Sequence, residues 1–174
     1  DYIIASPTEI LGAGFPYESF IPMLFQRTDH KLNEVCEEYM DYYAGSSGTI
    51  SLIDCSKIDA LAEVMKEVYN VASDVEVDQI QAYDNFPYHL YFDLGDYVES
   101  AVSGATLERF KSALSDVVVF SENTDTFFTV TGPDDAYIPI KHYSGLSCYV
   151  LQESDCPETA KAWRATHWAQ RMAE

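Results

Sequence analysis

The chain has 174 residues, of which 47% are hydrophobic and 14% aromatic, a composition typical of one folded domain. Its 29 acidic and ten basic residues give a formal net charge of −19, which argues against nucleic acid as a partner and favours calcium or peptides rich in lysine and arginine. No run of 18 apolar residues predicts a membrane span, and no secretion signal is visible in this chain.

The first residues predict a buried strand. Tyr2–Ala5 is an apolar, β-branched run, and Ser6 with Pro7 ends it. A buried strand without any lead-in indicates that a further segment precedes Asp1.

The composition leaves a second interpretation of the acidic charge open, namely a surface that only keeps the protein soluble.

Later segments predict alternating helices and strands. Apolar residues at helical spacing predict a helix over residues 31–44, with the N-cap types Thr28 and Asp29 before it. Residues 49–53 alternate as a strand, and Ser56 opens a helix with a broad apolar stripe. Further predicted elements are a helix entered at residues 93–98, a helix at 106–114, a strand at 117–120, a hairpin arm at 127–131, a turn at 132–135, a strand at 146–151 and a helix from Pro157.

Strands separated by helices in this order predict an α/β fold. In such a fold a mixed or largely parallel sheet is covered by helices on both faces.

One local motif places an acid and a thiol at the end of a strand. Asp54 and Cys55 follow the predicted strand at residues 49–53, and α/β folds often keep their sites at such ends. A nucleophilic cysteine also needs a base and an oxyanion donor. A strand, a turn and a capped helix explain the segment more simply, although Cys55 stays open as a nucleophile.

The other candidate ligands form no complete site. Cys36 falls on the apolar face of a predicted helix and Cys148 inside a predicted strand, where a thiol usually acts as a small apolar group. No CxxC pair is present, and one disulfide among these two cysteines, Cys55 and Cys156 is left open. The four histidines lie in different elements without metal-site spacing; they are His30, His89, His142 and His167. Three acidic pairs are candidates for calcium, although none has EF-hand spacing and solvated acidic faces explain them more simply; they are Asp134 with Asp135, Glu37 with Glu38, and Asp93 with Asp96.

Several segments resemble one family. Residues 1–10 (DYIIASPTEI) and 12–17 (GAGFPY) resemble the stretch that follows the catalytic cysteine in the clostripain family of cysteine peptidases. Residues 49–59, 91–97 and 142–149 are similar to later parts of the family pattern, in the same order and spacing.

The resemblance implies a fold and a position for the catalytic residues outside this chain. It implies a caspase-like three-layer sandwich, with residues 1–105 as the C-terminal part of the peptidase domain and residues 106–174 as a small terminal subdomain packed on it. It also implies that the catalytic histidine and cysteine lie upstream of Asp1, on a segment or separate chain of the same precursor. The usual activating cut in the family precedes the cysteine, so a chain that starts after it departs from that pattern.

The resemblance also implies a role for the loop after the first strand. In the family this loop lines the pocket for the substrate residue before the scissile bond, and Ser6, Thr8 and Glu9 occupy that position. A carboxylate in a partly desolvated pocket pairs well with guanidinium or ammonium. Ser6 and Glu9 also fit the Ser-x-x-Glu pattern of a helix capping box, so pocket and cap both remain open.

The expected function is therefore the C-terminal chain of a cysteine endopeptidase that cleaves after arginine or lysine, inactive by itself. Family members are bacterial, often secreted or on the cell surface and processed into two chains, and some need calcium. The alternative is a non-catalytic binding module of caspase-like fold that has lost the catalytic pair.

Overall fold

The computed structural model of the protein describes residues 1–25, 31–132, 134–150, 157–166 and 168–170. The chain contains both helices and strands, and the mixed α/β class is confirmed. The elements are β1 (Tyr2–Ala5), α1 (Tyr17–Phe25), α2 (Lys31–Tyr43), β2 (Thr49–Asp54), α3 (Ile58–Val71), β3 (Phe92–Asp93), α4 (Leu94–Ala101), α5 (Gly104–Val117), β4 (Val118–Asn123), β5 (Thr126–Thr129), β6 (Ala136–Pro139), β7 (Ser147–Cys148) and α6 (Pro157–Arg164).

Most element predictions are confirmed in type, with shifted ends. The helix predicted at residues 106–114 extends over 104–117, and the predicted hairpin is formed by β5 and β6. The strand predicted at residues 146–151 is reduced to two described residues in β7. Four residues of these predictions lie outside the described residues; they are Thr28, Asp29, Pro133 and Leu151.

The central sheet has the order β1-β2-β4, and both of its pairs are antiparallel. The smaller pairs β3–β7 and β5–β6 are antiparallel as well. A largely parallel sheet is therefore a wrong expectation for the strand pairs that the structure describes. One helix between two strands returns the chain to the edge at which the first strand began, so the two strands run parallel. Strands β1 and β2 are separated by two helices instead, and they run antiparallel.

Strand β1 forms an edge of the central sheet in the described part of the chain. It pairs with β2 alone, with Ile4 opposite Leu52. Tyr2 and Ile3 are 53% and 50% exposed, so the prediction of a strand is confirmed while its expected burial is wrong. An edge strand has one neighbour instead of two, which leaves its backbone and side chains open on the other side.

Strand β2 lies between two hydrophobic clusters. Ile50 and Leu52 point to one face of the sheet, where they pack against buried side chains of α2. Ile53 belongs to the larger cluster on the opposite face, built mainly from α3, α4 and α5. The fully or nearly buried members of that larger cluster include Leu61, Met65, Val68, Phe92, Val98, Phe110 and Val117.

The chain after β6 crosses the sheet at very short distance. Gly145 has a φ of +85°, and a Cβ added there would lie 2.7 Å from Val118 Cγ1 and 2.9 Å from Ser51 Oγ. A Cβ added to Gly95 would lie 2.6 Å from Ser144 Cβ. Glycine at both positions therefore lets residues 142–146 lie directly on β2, β4 and the start of α4.

The helices that the structure describes are all too short or too polar to cross a membrane.

The close approach at Gly145 gives a first prediction. Gly145→Ala should lower the free energy of unfolding by about 2–4 kcal/mol, because the left-handed backbone and the contact with Val118 both disfavour a Cβ. Urea denaturation measures the loss. Gly12→Ala is the control, since no atom outside its chain neighbours lies within 4 Å of its added Cβ; equal stability of the two variants would contradict the close packing of Gly145 against Val118.

Candidate functional site

The loop that follows β1 is fastened to the buried start of β2. Ser6 Oγ lies 2.6 Å from Thr49 Oγ1, and Thr8 Oγ1 lies 2.8 Å from the same atom. Thr49 is completely buried and Thr8 is 6% exposed. The hydroxyl groups of Ser6 and Thr8 are thus used to hold the loop, and they form its inner side.

The carboxylate of Glu9 is held by the β5 strand. Thr129 Oγ1 donates to Glu9 Oε2 at 2.8 Å, and the backbone N–H of Val130 donates to the same oxygen at 2.9 Å. No helix begins in residues 6–16, which the structure describes in full, so the capping-box interpretation of Ser6 and Glu9 is wrong. The three predicted pocket residues therefore share one loop, attached to β2 on one side and to β5 on the other.

A second buried hydroxyl on β2, beside Thr49, also holds a distant segment of the chain. Ser51, which is completely buried, lies on the same face of β2 as Thr49, and its Oγ is 2.8 Å from the hydroxyl of Tyr143. Burial raises the pKa of Tyr143, while its hydrogen bonds to Ser51 and Thr49 act in the opposite direction. Tyr143 stays neutral at physiological pH and joins the loop of Ser6 to residues 142–146.

Asp93 accepts three hydrogen bonds in the interior. Its Oδ1 caps α4 by accepting from Asp96 N at 2.7 Å, and its Oδ2 accepts from Tyr83 Oη at 2.6 Å and from Ser144 N at 2.7 Å. Burial, followed by the negative charge of Asp93, raises the pKa of Tyr83. Asp96 Oδ2 accepts from Gln81 N at 2.7 Å.

The pair of Asp93 and Asp96 is therefore neither a solvated acidic face nor an open cation site. Both side chains are at least nine-tenths buried, and their oxygens accept mainly from backbone N–H groups. Such bonds stabilise a buried carboxylate without a bound metal ion.

The described histidines face carboxylates. His89 Nδ1 lies 2.9 Å from Asp84 Oδ1, and His142 Nδ1 lies 3.6 Å from Asp96 Oδ1. His30 and His167 lie outside the described residues. Across the described ranges, no group of three or more histidine, cysteine or acidic side chains is placed to hold a metal ion.

The three described cysteines are free thiols, and Cys156 lies outside the described residues. Burial raises the pKa of Cys36 and of Cys148 to about 12, so both behave as small apolar residues. Asp54 accepts from the backbone N and the Oγ of Ser56, which closes the turn after β2. In the part of the chain that the structure describes, no side chain hydrogen-bonds to the thiol of Cys55.

Sequence reasoning missed three residues that support the loop. Thr49 and Tyr143 are contained in segments that carried the family resemblance, and the alternation in β2 marks Thr49 as facing away from Ile50. Thr129 had no sequence signal, since it lies 120 positions from its partner Glu9.

A family model described as the clostripain family matches residues 1–161. Among solved structures, the chain is similar to an inactive zymogen C11 protease from Parabacteroides distasonis, with 28% sequence identity and a TM-score of 0.91. This match covers 99% of the chain and 51% of the zymogen.

Two proteins from Bacteroides thetaiotaomicron are also similar. One is a clostripain solved with a peptide inhibitor, at 26% identity and a TM-score of 0.84, with 99% of this chain and 76% of that one covered. The other is a secreted C11 cysteine protease, also at 26% and 0.84, with 99% and 49% covered. The chain thus spans about half the length of two of these three relatives. No curated protein matches it.

The buried thiols predict a pH-dependent stability. The thiol of Cys36 has an ordinary pKa of 9.0 and a pKa of about 12 in the folded chain, so above pH 9 only the unfolded state loses its proton. The contribution of Cys36 to the free energy of unfolding should be constant below about pH 8 and fall as pH rises from 9 towards 12. Urea denaturation between pH 7 and 10 measures the slope, and Cys36→Ala should make it shallower; an unchanged slope in that variant would contradict the assignment.

Proposed function

The chain belongs to the clostripain family of cysteine peptidases, and we propose that it forms the C-terminal part of a cysteine endopeptidase that cleaves after arginine or lysine. The observation that carries this proposal is the match of almost the whole chain to about half of the zymogen protease. In this proposal the catalytic cysteine and histidine lie upstream of Asp1, and the chain is inactive without them.

The proposed chemistry uses the upstream pair and this chain's pocket. The cysteine thiolate attacks the scissile carbonyl carbon, the peptide amine leaves with a proton from the histidine, and water then hydrolyses the thioester. We propose a caspase-like sandwich in which residues 1–105 complete the peptidase domain. Residues 106–174 pack on it, and the contact of α5 with α3 and of β4 with β2 supports this attachment.

Glu9 is the proposed contact for the basic substrate residue, and Ser6 with Thr8 shapes the pocket wall. Both hydrogen bonds from described residues to Glu9 fall on Oε2, which leaves Oε1 for a guanidinium or ammonium group. The peptide inhibitor bound by the Bacteroides thetaiotaomicron clostripain is written BTN-VLTK-AOMK, and its peptide part ends in lysine. That ending supports a basic residue at this position here.

An exposed apolar surface supports the proposed partner. Helix α1 is mostly apolar and buries none of its residues, and Phe25 at its end is 80% exposed. The open edge of β1 lies in the same N-terminal region, which holds seven of the exposed large hydrophobic residues. They are Tyr2, Ile3, Ile10, Tyr17, Ile21, Leu24 and Phe25. We propose that the upstream chain of the same precursor covers this N-terminal apolar surface.

The relatives also support a location and leave one rival. Secretion from a bacterium is the proposed location, since a similar protease is described as secreted. A non-catalytic binding module would replace the peptidase if the upstream segment lacked the cysteine or the histidine. Calcium stays a candidate cofactor for the assembled peptidase.

Glu9→Gln tests the pocket. In the peptidase assembled with its upstream segment, this variant should lower kcat/KM at least about tenfold for substrates with arginine or lysine before the scissile bond. For substrates with a neutral residue at that position, Glu9→Gln should change kcat/KM little. The exposed control Glu122→Gln should change kcat/KM little on all substrates. If Glu9→Gln loses thermal stability and activity in equal measure on all substrates, Glu9 only anchors β5.

Phe25→Asp tests the partner surface. A charge at the end of α1, on the N-terminal apolar surface, should raise the dissociation constant for the separately produced upstream chain at least about tenfold, measured by calorimetry or native mass spectrometry. Tyr88→Asp, at a similarly exposed aromatic residue elsewhere, is the control. Unchanged binding by Phe25→Asp would place the interface on another surface, and no binding by the natural chain would contradict the partner proposal.

A further inference from the structure

We propose that Thr129 is a positioning residue for substrate specificity, because it aims the carboxylate of Glu9 at the basic residue of the substrate. This inference rests on the function proposed above. Thr129 ends strand β5, is 1% exposed and donates its hydroxyl proton to Glu9 Oε2 across 120 positions of sequence. It belongs to no segment that resembled the family by sequence.

The direction of the hydrogen bonds around Thr129 follows from the charge of Glu9. An ionised carboxylate has no proton, so Thr129 must donate its only hydroxyl proton to it. Thr129 Oγ1 also lies 2.6 Å from Thr131 Oγ1, which must therefore be the donor in that pair. The backbone N–H of Thr131 donates to Thr129 Oγ1 at 3.0 Å, and Asn85 N donates to Thr131 Oγ1 at 3.4 Å.

These bonds form a chain with one direction, which ends at Glu9. Each donor is polarised by the next, so the chain strengthens the last bond, from Thr129 to the carboxylate. The N–H of Val130 gives Oε2 a second donor at 2.9 Å. Two donors on one oxygen hold Oε2 at the end of β5 and leave Oε1 without a hydrogen bond from the described residues.

The β5 strand is rigid enough to act as this support. Phe128 N donates to Ser47 Oγ at 2.5 Å, and Thr124 Oγ1 donates to the carbonyl of Thr126 at 2.7 Å. Phe127 is completely buried, with its ring 6.2 Å from that of Tyr83. A donor fixed in this way holds Glu9 without losing side-chain entropy when substrate binds.

The turn between β5 and β6 is anchored as well. Gly132 has a φ of +112°, and a Cβ added there would lie 2.0 Å from the carbonyl oxygen of Asn85. Asn85 Nδ2 donates to the carbonyl of Asp134 at 3.1 Å. The hairpin is thus attached at both ends, so the position of Thr129 is set by contacts that do not involve Glu9.

Thr129→Val is the direct test, because valine keeps the shape and removes the hydroxyl donor. In the assembled peptidase it should raise KM for substrates with lysine or arginine before the scissile bond about tenfold, with a smaller change in kcat. KM for neutral substrates should stay the same. Thr129→Ser restores the donor and should restore KM, and Thr126→Val on the same strand is the matched control.

A double-mutant cycle separates positioning from simple support of the fold. If Thr129 acts through Glu9, then Thr129→Val should cause no further rise in KM when Glu9→Gln is already present. The proposal is overturned if Thr129→Val leaves KM for basic substrates unchanged, or if it still raises KM when Glu9→Gln is present. It is also overturned if Thr129→Val raises KM for neutral substrates as much as for basic ones. If the unmodified peptidase does not prefer substrates with lysine or arginine before the scissile bond, the proposed function is wrong, and this inference is wrong with it.

Discussion

The hydroxyl groups of Thr49 and Ser51 are the constraint on which most of the structure depends. Both side chains are completely buried on β2, and a buried hydroxyl without a partner costs about 1–3 kcal/mol. Their partners come from two distant parts of the chain, the loop of Ser6 and Thr8 and the ring of Tyr143. One polar face of one strand thereby fixes both the loop after β1 and the segment at residues 142–146.

The second of these contacts requires an unusually close approach. The segment at residues 142–146 lies on β2 and β4, where Gly145 has no room for a Cβ. Its neighbour Ser144 donates its backbone N–H to Asp93 and accepts from Gly95 N at 3.0 Å. The two family-like segments, at residues 91–97 and 142–149, are thus complementary surfaces, which explains why small residues occur in both.

The acidic composition has two physical origins within the described residues. Many carboxylates lie on the surface, but Asp84, Asp93 and Asp96 are buried and accept hydrogen bonds from backbone N–H groups. Asp84 alone accepts from three backbone N–H groups and from His89. Asp84 organises the segment before β3, and Asp93 and Asp96 connect the start of α4 to Ser144 and Gln81.

The sequence by itself determined the local structure and the family. Helical spacing located α2, α3 and α5, alternation located β2, and turn residues located the β5–β6 hairpin, because each signal depends on neighbours within a few positions. Short motifs from residue 1 to residue 149 were sufficient to indicate the clostripain family.

Only the tertiary structure decided the strand directions, the exposure of β1 and the partners of Glu9. Strand direction depends on where the intervening helices return the chain, and the exposure of Tyr2 and Ile3 depends on how many strands flank β1. The Ser-x-x-Glu pattern left a helix cap open beside a pocket role, whereas Glu9 accepts from Thr129 and Val130. A hydrogen bond across 120 positions leaves no local pattern in the sequence, because it is set by the packing of β5 beside the loop.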